Sequence, residues 1–158
     1  MDCTFKTTEG KFNYRVGAII RNGNKILMAQ NPNETRRFWY SVGGRVHVGE
    51  TAEEAVLREL KEETGLECEI ERLAAAHENF FCDGEGLPFH EISFFFLIKP
   101  SEALLAIPSG HRTDGGPDGE FLEWIDLADC EEKLLFPDFF KTADFSAEKG
   151  VLHFVTKE

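Results

Sequence analysis

GRVHVGETAEEAVLRELKEETGL, residues 44–66, is the stretch whose reading decides the fold. Thr51 carries the side chain of a helix N-cap, and Glu54, three residues on, completes a capping box. Gly65 can take the left-handed conformation that closes a helix. The stretch therefore predicts a helix over Ala52–Thr64. At about 100° per residue, Glu59 and Glu63 stand ~40° apart, and Glu62 lies ~60° to the other side of Glu59. Ala52 and Ala55 share that arc, while Val56, Leu57 and Leu60 continue the apolar face. Three acids thus sit at the rim of the buried face, beside small side chains that leave room.

Like charges 6 Å apart repel by roughly 3 kcal/mol at an effective dielectric near 20. A divalent cation compensates such a group, and oxygen-only ligands favour Mg2+ or Mn2+ over zinc. Bound metals withdraw charge from a phosphate and acidify a bound water. Arg58 is near enough along the helix to orient a glutamate by a charge-assisted hydrogen bond. An isolated RELKEET fragment would be a solvated, charge-laced helix. The upstream Gly43-Gly44 pair and Glu50 turn the reading towards a site.

With Gly44, Glu50, Arg58, Glu59, Glu62, Glu63 and Gly65 at these spacings, and Leu60 and Leu66 as aliphatics, the stretch resembles the signature box of the Nudix hydrolases. The resemblance implies an α/β fold, the Nudix α/β/α sandwich with a mixed β-sheet between helices. It implies that Glu59, Glu62 and Glu63 bind metal, that the Gly43 carbonyl is a further ligand, and that one of the three glutamates acts as base. Which one differs among family members. Glu59, Glu62, Glu63 and Arg58 are the implied catalytic set. One departure is visible: Val42 stands where a proline often precedes the two glycines. Weaker similarity extends through FNYRVGAIIRNGNKILMAQ and HENFF…HEISFFF.

At 158 residues and 42% hydrophobic content, one domain spanning residues 1–158 is expected, with a sizeable core. No apolar run reaches the ~18 residues of a membrane span. The start, MDCTFKTTEG, lacks a signal-peptide core. Cys3, Cys68, Cys82 and Cys130 lack CxxC spacing and read as reduced thiols in a cytoplasmic protein. A net charge of −12 disfavours nucleic acid polymers. A small nucleotide-type diphosphate remains acceptable, because cations reverse the local sign. The reading allows a homodimer.

Alternation and turn signals predict strands over residues 11–21 and 25–30 around an Asn22-Gly23-Asn24 turn. Further strands are expected over 38–42, 45–48, 67–81, 92–98, 120–125 and 151–155. Residues 73–76 also have the composition of a helical fragment. Short helices are expected over 127–134 and 137–142. Residues 31–37 and 82–89 read as loops, and 108–119 as a surface loop or substrate lid.

Outside the box, Arg15, Arg37 and Arg45 are candidate phosphate contacts, since arginine suits bidentate phosphate recognition. Glu78 and Glu91 bracket a loop on neighbouring strands and are candidates for substrate or metal contact. Glu120 is favoured over Glu123 as an additional metal ligand, because it follows the breaker-rich 108–119 segment. One ring among Trp39, Phe80 and Phe81 is a candidate for stacking on a base. His47 reads as surface, and His90 as either a substrate contact or an ordinary hydrogen-bonded histidine.

The expected function is metal-dependent hydrolysis of a pyrophosphate bond, in a nucleoside diphosphate joined to another group or in a nucleoside triphosphate. Two rivals come from other classes. One is a nucleotide-sensing module on the same fold, which would bind without turnover. The other is a structural calcium protein, which the lack of an EF-hand loop disfavours.

Overall fold

A computed structural model describes residues 1–113 and 119–158. The helix α1 covers Ala52–Thr64. Thr51 Oγ1 accepts from the Glu54 amide at 3.1 Å, and the Glu54 carboxylate accepts from the Thr51 amide at 2.8 Å. Gly65 ends the helix in the left-handed conformation, at φ 77°.

Around α1 the described strands are β1 (Thr4–Lys6), β2 (Lys11–Ile19), β3 (Arg21–Asn22), β4 (Lys25–Gln30), β5 (Trp39–Arg45), β6 (Ile70–Cys82), β7 (Pro88–Ile98), β8 (His111–Arg112), β9 (Phe121–Asp126), β10 (Leu135–Phe136) and β11 (Leu152–Lys157). They form a mixed sheet in the order β11-β6-β7-β2-β5-β4-β9-β8, with β1 beside β2, β3 beside β4 and β10 beside β5. Pairing is parallel between β2 and β7, β6 and β11, and β5 and β10, and otherwise antiparallel.

Each face of the sheet buries its own core. Val16, Ala18 and Ile20 alternate onto the face that also takes Leu27, Val42 and Val46, and there they meet Ala55, Val56 and Leu60 of α1. Leu104, from the short helix α2 (Glu102–Leu105), joins the same cluster. Burying a side chain such as Leu60 contributes about 1.5–3 kcal/mol. Ile19, Ile26, Met28 and Phe95 point the other way, onto Leu135, Phe140 and Phe145. That second face is covered around Phe140 by a single 3-10 turn, Asp138–Lys141, where a helix over 137–142 was expected.

Other expectations change too. Residues 127–134 are turns: the Asp129 amide donates to the Asp126 carbonyl at 3.1 Å and the Lys133 amide to the Cys130 carbonyl at 2.9 Å, closing β-turns in place of helical bonds. The chain then enters β10. The separate strand over 45–48 is the end of β5, followed by a bridge between His47 and Asp2. Residues 73–76 lie within β6, where register shifts mark bulges. In the 108–119 segment His111–Arg112 is a strand, while 114–118 lie outside the described residues. Near the other edge, the Arg72 guanidinium donates to the carbonyls of Leu73, Phe145, Ser146 and Gly150, fixing the turn that leads into β11.

Candidate active site

The site is built where α1 crosses β5. Gly43 pairs with Gly17 and Gly44 with Val16 across β2. A Cβ at Gly43 would stand 2.8 Å from Gly17 Cα, so the two strands meet with no space for a side chain. A Cβ at Gly44 would stand 2.5 Å from Glu59 Cδ. The missing side chain of Gly44 is therefore the space the Glu59 carboxylate occupies.

Arg58 organises the upper half. Its Nε and Nη2 donate to the two oxygens of Glu50 at 2.8 and 3.0 Å, a forked pair. Nη2 also donates to the Arg45 carbonyl at 2.9 Å, and Nη1 to Glu59 Oε1 at 3.0 Å. Glu62 is reached more loosely, at 3.4 Å, with its side chain 56% exposed. Glu50 also accepts from the His47 amide at 2.9 Å. The Arg58 hydrogen bonds hold the Glu50 carboxyl down at about 2. Arg58 is raised further by Glu50 and stays a cation.

The lower half is short of cations. Glu63 Oε2 is buried without a hydrogen-bond partner. Burial, then the charges of Glu120 and Glu59, push Glu63 up to about 9, against a main-chain hydrogen bond from Gly43. Burial also raises Glu59, against the pull of Arg58. Burial raises Glu120, with Arg15 opposing and Glu34 adding to the rise. Arg15 lowers Glu59, Glu63 and Glu120 alike, so it is the cation that all three acids share.

The structure brings Arg58, Glu59, Glu62, Glu63, Gly43, Arg15 and Glu120 to one region. The remaining candidates have other side-chain partners. Arg37 lies 5.9 Å from the Trp39 ring centre, in an exposed loop. The Arg45 side chain pairs with Asp2 at 3.4 Å, its carbonyl accepts from Arg58, and the residue stands opposite Arg15 on β2. Glu78 hydrogen-bonds His153 at 2.8 Å, and Glu91 accepts from Asn13 at 3.2 Å. Because Glu78 pairs with Ile92 and Glu91 with Asn79, the two acids point to opposite sides of the sheet. Glu123 accepts from Trp39 Nε1 at 2.7 Å.

That bond, with Lys133 4.9 Å from the ring, leaves Trp39 5% exposed and unable to stack on a base. Phe80 packs on His90 and Phe81 on Phe89, both part of the β6–β7 hairpin. Sequence reading missed Glu34 and Tyr40. The Tyr40 hydroxyl donates to Glu34, 2.8 and 2.9 Å from its two oxygens, and burial with this contact pushes the phenol upward. The available signal was alternation: Tyr40, Val42 and Gly44 share one face of β5.

Among the described residues no three carboxylate, imidazole or thiolate groups are arranged around a common cation position. Glu59 is instead held by Arg58, and Glu63 by the Gly43 main chain. The donor set nevertheless fits a hard divalent ion. It is all oxygen, its members repel one another, and a buried carboxylate oxygen lacks any partner.

A mixed sheet carrying this capped acidic helix is the Nudix fold. The MutT NUDIX hydrolase from Burkholderia pseudomallei superposes with a TM-score of 0.59 at 23% identity, covering 82% of this chain and 95% of that one. A NUDIX hydrolase from Nitrosomonas europaea superposes at 0.58 and 18% identity, covering 92% and 79%. The NUDIX domain matches residues 11–145, and the chain belongs to the Nudix family. It is 34% identical over 113 residues to the ADP-ribose pyrophosphatase of Methanocaldococcus jannaschii, covering 71% of this chain and 60% of that protein. It is 30% identical over 125 residues to a human 8-oxo-dGDP phosphatase, covering 78% of this chain and 34% of that protein. The chain thus spans less than two thirds of either relative's length. Nudix enzymes generally use divalent metals. No described helix is long and apolar enough to cross a membrane.

Proposed function

We propose that the chain is a metal-dependent pyrophosphohydrolase. Its substrate class is a nucleoside diphosphate linked to a second group, such as a nucleotide sugar or a dinucleotide, or a nucleoside triphosphate. The observation that carries the reading is the partnerless buried oxygen of Glu63, set among Glu59, Glu120 and Arg15. The name of one relative, an ADP-ribose pyrophosphatase, favours the same class, and that of another, an 8-oxo-dGDP phosphatase, favours a nucleotide phosphoanhydride more broadly.

Glu59, Glu62, Glu63 and the Gly43 carbonyl would hold Mg2+ or Mn2+, with Glu120 as an additional ligand. The bound ion neutralises phosphate charge and acidifies water. Arg58 fixes Glu59 in the space left by Gly44. Arg15 offers a phosphate oxygen a forked donor. A water attacks one phosphorus, its oxygen forms the new bond, and the bridging phosphorus–oxygen bond breaks. The departing phosphate keeps the bridging oxygen and its electron pair. The water's proton passes to one of the carboxylates Glu59, Glu62 and Glu63.

A phosphate-release panel tests this. ADP-ribose, UDP-sugars, dinucleotides and nucleoside triphosphates are supplied with magnesium, and products are identified. Wild type is expected to turn over at least one class, and EDTA to abolish it. Undiminished turnover in both Glu62→Gln and Glu63→Gln rejects the roles assigned here. Tight nucleotide binding without turnover selects the sensing module instead.

A further inference from the structure

An aromatic shelf adjoins the acidic site, and hydrolysis of the anhydride does not require it. Phe38, Tyr40 and Phe136 form it. Tyr40 and Phe136 stack with centroids 6.0 Å apart and planes at 25°, and Phe38 meets Phe136 edge-on at 5.4 Å. Strand pairing assembles the shelf: β10 runs parallel to β5 with Phe136 beside Tyr40, so both rings leave the same face. Phe136 is 46% exposed, and Arg36 lies 5.8 Å from the Phe38 ring centre.

The shelf is continuous with the acids. Tyr40 shares its face of β5 with Gly44, the residue that makes room for Glu59. Three residues along a strand place Gly43 ~10 Å from Tyr40, about the reach of a nucleoside arm. The charges of Glu120 and Arg15 also act on the Tyr40 phenol. At the shelf's margin stands the Glu34 carboxylate. Tyr40 supplies it with a single hydrogen, which leaves lone pairs on both oxygens.

We infer that this shelf receives the base of a guanine nucleotide, with the ring against Phe136 and Phe38 and Glu34 accepting from the adjacent N1–H and N2–H2 donors. Among the common bases guanine alone presents two neighbouring N–H donors that match the two oxygens of one carboxylate. Adenine offers a lone pair at N1, which a carboxylate repels. The direction of the phosphates, towards Arg15 and Glu63, rests on the hydrolase reading given above.

Calorimetric titration of the full chain with GDP and with ADP, each as its non-hydrolysable α,β-methylene analogue in magnesium buffer, reads the shelf without turnover. GDP is expected to bind at least ~10-fold more tightly than ADP, as two charge-assisted hydrogen bonds imply. Glu34→Gln removes that preference. Phe136→Ala weakens both nucleotides by about five- to a hundredfold through lost stacking. Phe38→Ala gives the same direction of change, and melting curves verify that each variant is folded. Equal GDP and ADP affinities in the wild type, or unchanged GDP affinity in both phenylalanine variants, overturns the inference. A guanine preference in a protein that hydrolyses no diphosphate defeats the hydrolase reading alone. Hydrolysis with no base preference defeats the shelf alone.

Discussion

Glu50 and Glu63 are both half-buried carboxylates anchored around one helix, yet their environments are opposed. Glu50 has a forked guanidinium and a backbone amide, and its carboxyl sits at about 2. Glu63 has burial, two acidic neighbours and an oxygen with no partner, and its carboxyl sits at about 9. The first acid is satisfied by the protein itself and serves as structure. The second is left incomplete by the protein, which is how a site for an external cation is built. Arg58 makes the difference, because it spends its donors on Glu50 and Glu59 and leaves Glu63 to the ligand.

The strongest challenge to this contrast is kinetic. Glu63→Gln is expected to lower kcat about 10^2- to 10^4-fold on whichever substrate the panel identifies. A loss under tenfold would place Glu63 outside the chemistry.

Next comes pH. In metal-free protein the folded Glu63 carboxyl, at about 9, lies above the ordinary 4.5. Between those values the folded chain holds a proton that the unfolded chain has shed. Stability therefore falls as pH rises from 4.5 towards 9, by several kcal/mol in all, since each unit is about 1.4 kcal/mol. Glu50, at about 2, contributes the opposite dependence: full above pH 4.5 and lost on acidification towards 2. Urea midpoints in EDTA at pH 5, 7 and 9 should slope downward in wild type and flatten in Glu63→Gln. Parallel slopes would erase the contrast.

Arg58→Ala should cost about 2–3 kcal/mol, below the usual loss for a broken buried pair because the guanidinium keeps some solvent contact. Denaturant unfolding reads this, and Arg58→Lys should not restore it, since an ammonium cannot fork. Full rescue by lysine would make the pair one of charge alone. Gly44→Ala should then displace Glu59 and reduce kcat by about tenfold with the fold retained. Wild-type kinetics in that variant would show that Glu59 has other room. The smallest effect is Thr51→Ala, at about 1 kcal/mol of stability with unaltered kcat, as befits a cap remote from the contrast. A change in kcat there would tie the helix start to the chemistry.

What the sequence revealed follows the range of the forces involved. The Ala52–Thr64 helix and its two caps were legible because Thr51, Glu54 and Gly65 act within one turn of themselves. The gathering of Glu59, Glu63 and Glu120 was partly legible, since two of them share the helix and the third comes from another strand end. The Tyr40–Phe136 contact was not, because it depends on β10 choosing β5 across almost a hundred residues. The helix expected over 127–134 gave way to turns closed by Asp126–Asp129 and Cys130–Lys133 backbone bonds, a choice that apolar spacing does not register. Trp39 failed as a stacking ring because Glu123, on a distant strand, holds its indole nitrogen.

The Arg72 guanidinium, which gathers carbonyls from both ends of the 145–150 turn, has a consequence for solubility. By fixing the entry to β11 it keeps that strand laid along β6, where Leu152–Lys157 match Ala75–Phe80 residue for residue. Were that closing strand to peel away, the long β6 would become an open border of the sheet, a ready template for a neighbouring molecule's strand. One cation thus helps decide that the short β11, and not the long β6, forms that border of the sheet.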